Sequence, residues 1–184
     1  MNIWLEHYLR EMAEAIQNMG LSQSEELEYV AKIMRHKCEN GNKVIIVGNG
    51  GSAAIASHVA VDLTKTSGIR AITFNDSDLI TCFGNDYGYE HWVEEALKAY
   101  ADRRDLVVLI SSSGKSPNMV NAAKLMNEKR IQFVTFSGFE PDNPLRQLGT
   151  YNFWVDSKQY NFVEMAHQAW LLAIVDKIAE ENKK

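Results

Sequence analysis

The sequence predicts a three-layer, doubly wound α/β sandwich around a mostly parallel five-stranded sheet. Three observations carry that prediction. From residue 43 onward, short apolar runs alternate with amphipathic stretches of helical period. The first four runs are nearly continuous, as strands buried on both faces of a parallel sheet are. Two of the runs are followed by glycine- or serine-rich segments, at the strand ends where open parallel sheets bind ligands.

The elements follow in order. Residues 3–19 place Leu5, Tyr8, Leu9, Met12, Ile16 and Met19 at helical spacing, and Gly20 reads as the stop. Ser22 and Glu25 match a capping box that opens a second helix, with Leu27, Val30, Ala31, Met34 and Cys38 as its stripe. This hairpin (1–40) cannot bury its stripe alone and must pack on the rest of the domain or on another subunit. The α/β core (41–160) has strands at 44–47, 71–74, 106–110, 133–136 and 151–155. Helices fit 51–65, 89–100 and 117–129 between them. A long final helix, about 161–180 within a closing segment 161–184, is apolar around much of its circumference, which suggests burial between subunits or layers. Residues 1–184 read as one domain.

Composition narrows the classes. The 184 residues are 46% hydrophobic and 23% charged, enough apolar material for a core. No run approaches the ~18 apolar residues of a membrane span. The net charge of −5 argues against nonspecific nucleic-acid binding. Cys38 and Cys82 have no C-x-x-C spacing, so neither a disulfide framework nor a thiolate zinc site is expected. The first residues carry acids early and lack a secretory signal pattern, so the cytoplasm is the expected compartment.

After the first strand comes Gly48-Asn49-Gly50-Gly51-Ser52, with Ser52 at a helix start where free N–H groups attract anions. The segment matches neither G-x-G-x-x-G nor a Walker loop, so no nucleotide cofactor is expected. After the third strand comes Ser111-Ser112-Ser113-Gly114-Lys115-Ser116-Pro117-Asn118, with Pro117 placed to begin a helix. The bland alternative for each segment alone is a tight turn, glycine-rich in the first and an N-capped serine turn in the second. Together, at two strand ends, they favour a phosphate site made of hydroxyls and backbone amides.

The pair of segments, His58, and Cys82-Phe83-Gly84-Asn85-Asp86-Tyr87-Gly88 between them resemble the sugar isomerase (SIS) domain family, and within it the phosphoheptose isomerases. The resemblance spans nearly the whole chain. It implies that Ser52, Ser111, Ser112, Ser113 and Ser116 hold a sugar phosphate. Asn49, Asn85 and Asp86, with the backbone of Gly50 and Gly51, would meet the sugar or a neighbouring subunit. It implies a homotetramer with active sites at subunit interfaces. Lys115 replaces the commoner Asn, either adding to phosphate attraction or pointing to solvent.

Aldose–ketose isomerisation needs a base over a carbon-bound proton and a group that polarises the carbonyl. His58 and Asp62, at i and i+4, share one helical face; Asp62 stands where the family has Glu, and the bland alternative is an exposed helix ion pair. In the final helix, Val163, Ala166 and Leu171 replace the family's Gln and two His residues. His167 lies one turn from both 163 and 171, about 6 Å along the axis. It is a candidate surrogate acid or ligand, with Glu164 alongside, or else a packed core or interface His. Zinc is a candidate cofactor with an incomplete donor set of His58, Asp62 and His167. Tyr160 and Lys158 are placed to shape sugar selectivity, and His91, following a Gly84–Gly88 loop, to line the pocket. The resulting expectation is a phosphosugar isomerase acting on sedoheptulose 7-phosphate for lipopolysaccharide or capsule heptose. The rivals are a different sugar phosphate, a non-catalytic scaffold of the kind that associates with replication initiators, and a phosphosugar sensor.

Overall fold

The computed structural model describes residues 3–183, with every side chain among them except that of Met19. Helices α1 (Trp4–Ser22) and α2 (Ser24–Glu39) come first. The chain then runs β1 (Val44–Gly48), α3 (Gly51–Lys65), β2 (Ala71–Thr73), α4 (Ser77–Tyr87), α5 (Trp92–Tyr100), β3 (Leu106–Ser111), α6 (Pro117–Lys129), β4 (Phe133–Ser137) and β5 (Tyr151–Trp154). It closes with α7 (Tyr160–Glu181).

The five strands form one sheet in the order β2-β1-β3-β4-β5, every neighbouring pair parallel. Side chains of a strand alternate between faces, and both faces here are apolar. Val44, Ile46, Val108, Ile110 and Phe136 pack under α2, α3 and α7. Ile45, Val47, Val107, Leu109 and Phe133 pack under α5 and α6. The near-continuous hydrophobicity of these runs is therefore the signature of a sheet covered on both sides. The final helix owes its apolar circumference to burial between layers, against α1, α2 and α3.

Three expectations are corrected. Gly20 does not stop α1, which runs on to Ser22. A Cβ at Gly20 would lie 2.7 Å from Nε1 of Trp170, whose indole N–H donates to the Ile16 carbonyl at 2.9 Å. The glycine serves close helix packing, and that contact overrides its poor helix propensity. The Ser22–Glu25 capping box does not form the entry to α2: Ser22 still belongs to α1, and Gln23 is the N-cap. Gln23 also reaches across to β5, donating to the Trp154 carbonyl at 3.2 Å and accepting from the Trp154 N–H at 3.0 Å. Last, Gly84–Gly88 is not a loop. Asp76 accepts from Asp78 N–H and opens α4, which runs through Gly84 and ends at Gly88 with φ 86°. The helix expected at 89–100 accordingly begins at Trp92.

Helix propensity alone says that Gly20→Ala gains about 1 kcal/mol. The indole reverses the sign. We expect a net loss of roughly 1–2 kcal/mol from overpacking, read as a lower Tm in thermal unfolding; a higher Tm would contradict the packing role.

Candidate functional site

The order β2-β1-β3 brings the ends of β1 and β3 side by side, with Gly48 paired to Ile110. Helices α3 and α6 start directly beyond them. Their N-terminal N–H groups open onto one small pocket of about 100 Å³. Its lining is Asn49, Ser52, Ile110, Ser111, Ser112, Ser113 and Ser116, with Tyr160 and Glu164 contributed by α7.

Local geometry explains the residue types. Gly50, the N-cap of α3, has φ 54° and ψ −123°, a backbone conformation suited to glycine. Any side chain on Gly51 would collide with the Glu164 carboxylate, which lies directly over it. Ser116 caps α6 with Pro117 as first helical residue, as expected. Ser111 Oγ donates to Ser116 Oγ at 3.2 Å, and Ser113 Oγ accepts from the Lys115 N–H at 3.3 Å. Ser112 Oγ is buried with no hydrogen-bond partner. A buried hydroxyl without a partner is costly, and a bound anion would satisfy it. Among the described lining residues there is no Lys or Arg. Lys115 is exposed and stays outside.

A second polar track runs from this pocket along the α3–α7 contact. His58 Nδ1 and Gln168 Nε2 lie 3.2 Å apart, and His58 Nε2 and Asp62 Oδ2 lie 3.1 Å apart. Gln168 sits one turn beyond Glu164 on α7. His58 lies about 9 Å along α3 from Ser52, so the pair stands beside the phosphate-sized pocket and not in it. The His58 side chain is 53% exposed and that of Asp62 32%. Within one chain the two residues make the i, i+4 contact that the spacing also allowed.

His167 goes elsewhere. It is fully buried, its Nε2 3.0 Å from the Ser137 carbonyl and its ring edge-on to Phe136 at 5.6 Å. A carbonyl only accepts, so Nε2 carries the proton, and Nδ1 is left buried without a partner. Burial pushes the imidazole down to about 4 against a smaller upward pull from the Ser137 hydrogen bond. Val163, Ala166 and Leu171 are equally buried. The i, i+4 stripe is real, but it faces the sheet; His167 is the packed core histidine, not an acid in the pocket. The donor set His58, Asp62 and His167 therefore does not assemble for zinc. Among the described residues no three His, Cys, Asp or Glu side chains stand close enough to share a metal ion.

Asn85 and Asp86 lie on the exposed α4, bonded to each other at 2.9 Å and away from the pocket. His91 pairs with Glu94 at 3.1 Å and does not line it. Lys158 pairs with Glu140 at 2.8 Å, whereas Tyr160 does line the pocket. The reading of hydroxyls passed over Asn118, which is 1% exposed and bonded to Asn49.

Comparison with known proteins agrees with this geometry. The SIS domain family profile matches residues 7–138. A phosphoheptose isomerase of Aliarcobacter butzleri is 34% identical over 160 residues, 84% of each chain. One from Aneurinibacillus thermoaerophilus is 32% identical over 85% of this chain and 83% of its own. The structure of phosphoheptose isomerase GmhA from Neisseria gonorrhoeae superposes with a TM-score of 0.86 at 26% identity, covering 95% of this chain and 96% of that one.

The buried imidazole gives a pH signature. Unfolded, His167 takes up a proton near pH 6.5; folded, it resists until about pH 4. The unfolded state thus binds more protons in that window, and this contribution is complete above pH 6.5 and lost as pH falls to about 4. We expect it to amount to roughly 3 kcal/mol. Measured by denaturant unfolding against pH, His167→Gln should flatten that part of the profile; an unchanged slope would refute it.

Proposed function

The chain belongs to the SIS domain family, and on that premise we propose that it is a phosphosugar isomerase, converting sedoheptulose 7-phosphate to a heptose 7-phosphate. The single observation that carries the proposal is the pocket itself. A carboxylate, that of Glu164, shares one small cavity with five serines at two converging helix N-termini. Hydroxyls and amides bind a phosphate there without a cation. In a heptose 7-phosphate the carbons that exchange the proton are those farthest from the phosphate, and the carboxylate of Asp62 stands on that side, one turn beyond His58 on α3. The phosphoheptose isomerase relatives supply the substrate.

In the proposed mechanism Ser52, Ser111, Ser112, Ser113 and Ser116 anchor the phosphate. Asp62 removes the proton from the terminal carbon next to the carbonyl, leaving an enediolate, and returns it to the carbonyl carbon, while a proton passes between the two sugar oxygens. The His58–Gln168 pair, with Asp62 behind it, lines the route along which the sugar extends. No step runs through zinc, because the donors do not converge.

Assembly is part of the same proposal. Trp4, Leu5 and Leu9 on α1, Val61 on α3 and Met165 on α7 are large and exposed. An oligomer, the homotetramer that the family resemblance implies, covers such surface and completes the site around Asp62. Among the described residues no helix is long and apolar enough to cross a membrane. The proposed setting is the cytoplasm and the supply of heptose for lipopolysaccharide or capsule.

The test is incubation with sedoheptulose 7-phosphate, followed by separation of the heptose phosphates. We expect turnover by the native chain and a kcat lower by about 100-fold or more in Asp62→Asn, with KM little changed. Full activity in the variant would remove Asp62 from the mechanism. Binding of the sugar phosphate without product would favour a sensor or scaffold.

A further inference from the structure

We propose that Asn118 is a positioning residue: its amide locks the loop after β1 to the loop after β3, so that both halves of the anion site meet a phosphate as one preassembled unit. Asn118 touches the pocket only through Asn49. Asn49 Nδ2 donates to Asn118 Oδ1 at 3.0 Å, and Asn118 Nδ2 donates back to Asn49 Oδ1 at 2.9 Å. The two residues are 69 positions apart in the chain, one beyond β1 and the other in the first turn of α6.

The pair has one orientation. The Met119 N–H can only donate, and it points at Asn118 Oδ1 at 3.1 Å, which fixes that atom as the oxygen. The reciprocal bonds then fix Asn49. Tyr89 adds a third hold, its hydroxyl donating to Asn49 Oδ1 at 3.2 Å. A buried amide pair contributes little net stability over apolar groups of the same shape. What it supplies is register: Asn49 cannot turn without breaking bonds at both ends. Asn49 lines the phosphate-sized pocket between Ser52 on one loop and the serines on the other. Holding it holds the distance between them. Such preorganisation appears in binding, because ordering that the protein has already done is not charged to the ligand.

This inference rests on the isomerase reading for its substrate, but its first readout needs no turnover. Inorganic phosphate is titrated calorimetrically into the full chain, native and Asn118→Leu, a side chain of similar size without the amide. We expect phosphate to bind about tenfold more weakly in the variant, and KM for sedoheptulose 7-phosphate to rise by a similar factor while kcat stays within about threefold. A purely structural role would lower Tm or the active fraction and leave the phosphate affinity and KM of the folded molecules unchanged; that result overturns the proposal. Tyr89→Phe, at an exposed position, carries the test if Asn118→Leu does not fold, with an expected weakening of about threefold. Unchanged phosphate affinity there would overturn the proposal in its place. If the native chain binds phosphate, the variants bind it worse and neither makes isomer, positioning stands and the isomerase reading falls. If the native chain binds no phosphate, positioning falls with the site.

Discussion

Everything in this molecule that bears on chemistry depends on one topological constraint, the reversal of strand order between β1 and β3. From β1 the chain crosses to β2 through α3, which covers one face of the sheet; from β3 it crosses to β4 through α6, which covers the other. Right-handed parallel crossovers in opposite directions must leave a crevice where they part. The two helices begin on either side of it, so their free N–H groups face a common space. Neither loop makes the site alone. The strand order makes it, and the glycines and serines fit the backbone to what the order imposes.

The two ends of the sheet solve opposite electrostatic problems. Beyond the strand C-termini the pocket offers dipoles and hydroxyls. At the other end, Asp105 is fully buried between the starts of β1 and β3. It accepts from the backbone N–H groups of Lys43 and Asp102 at 2.9 and 2.8 Å, with the Lys43 ammonium 2.7 Å away. Burial pulls the Lys43 ammonium down, but its bonds to Asp102 and Asp105 outweigh that and hold it above the ordinary lysine range. The buried cation is thus held at the end where it is matched, and the pocket at the reactive end works through hydroxyls and helix N-termini with no cation in its lining, beside the carboxylate of Glu164. That is how a chain of net charge −5 keeps a place for an anion.

Strands were legible because burial on both faces writes itself as unbroken hydrophobicity; Val44–Val47 and Leu106–Ile110 could be little else. The serine and glycine loops were legible for the same reason, as polar breaks at fixed places in that pattern. What failed, failed for lack of local contrast. Helix α4 buries no residue completely, so only Asp76 and Gly88 at its ends marked it, and the glycine-rich run inside read as a loop. Gly20 was misread because the indole that requires it lies 150 residues further on. For His167 the spacing argument found the correct stripe but not its direction. Val163 and Leu171 already said that this face had become core, and a histidine between them shares their burial. Asn118 stood in plain view at the end of a serine run; its partner could be found only through the fold.

The amide of Gln23, hydrogen-bonded to both backbone groups of Trp154, has a consequence beyond joining the hairpin to the sheet. β5 is an outer strand, and outer strands offer their unused rungs to any extended chain that comes near. A side-chain amide has the same donor and acceptor as a peptide group, so Gln23 occupies a rung as a neighbouring strand would, without the rest of a strand to propagate the ladder. Arg146 stacked 4.6 Å over the Trp154 ring sets a charge beside the same spot. The hairpin therefore fills the outward hydrogen-bonding positions of Trp154 on the edge strand, a contact that its amphipathic pattern alone would never reveal.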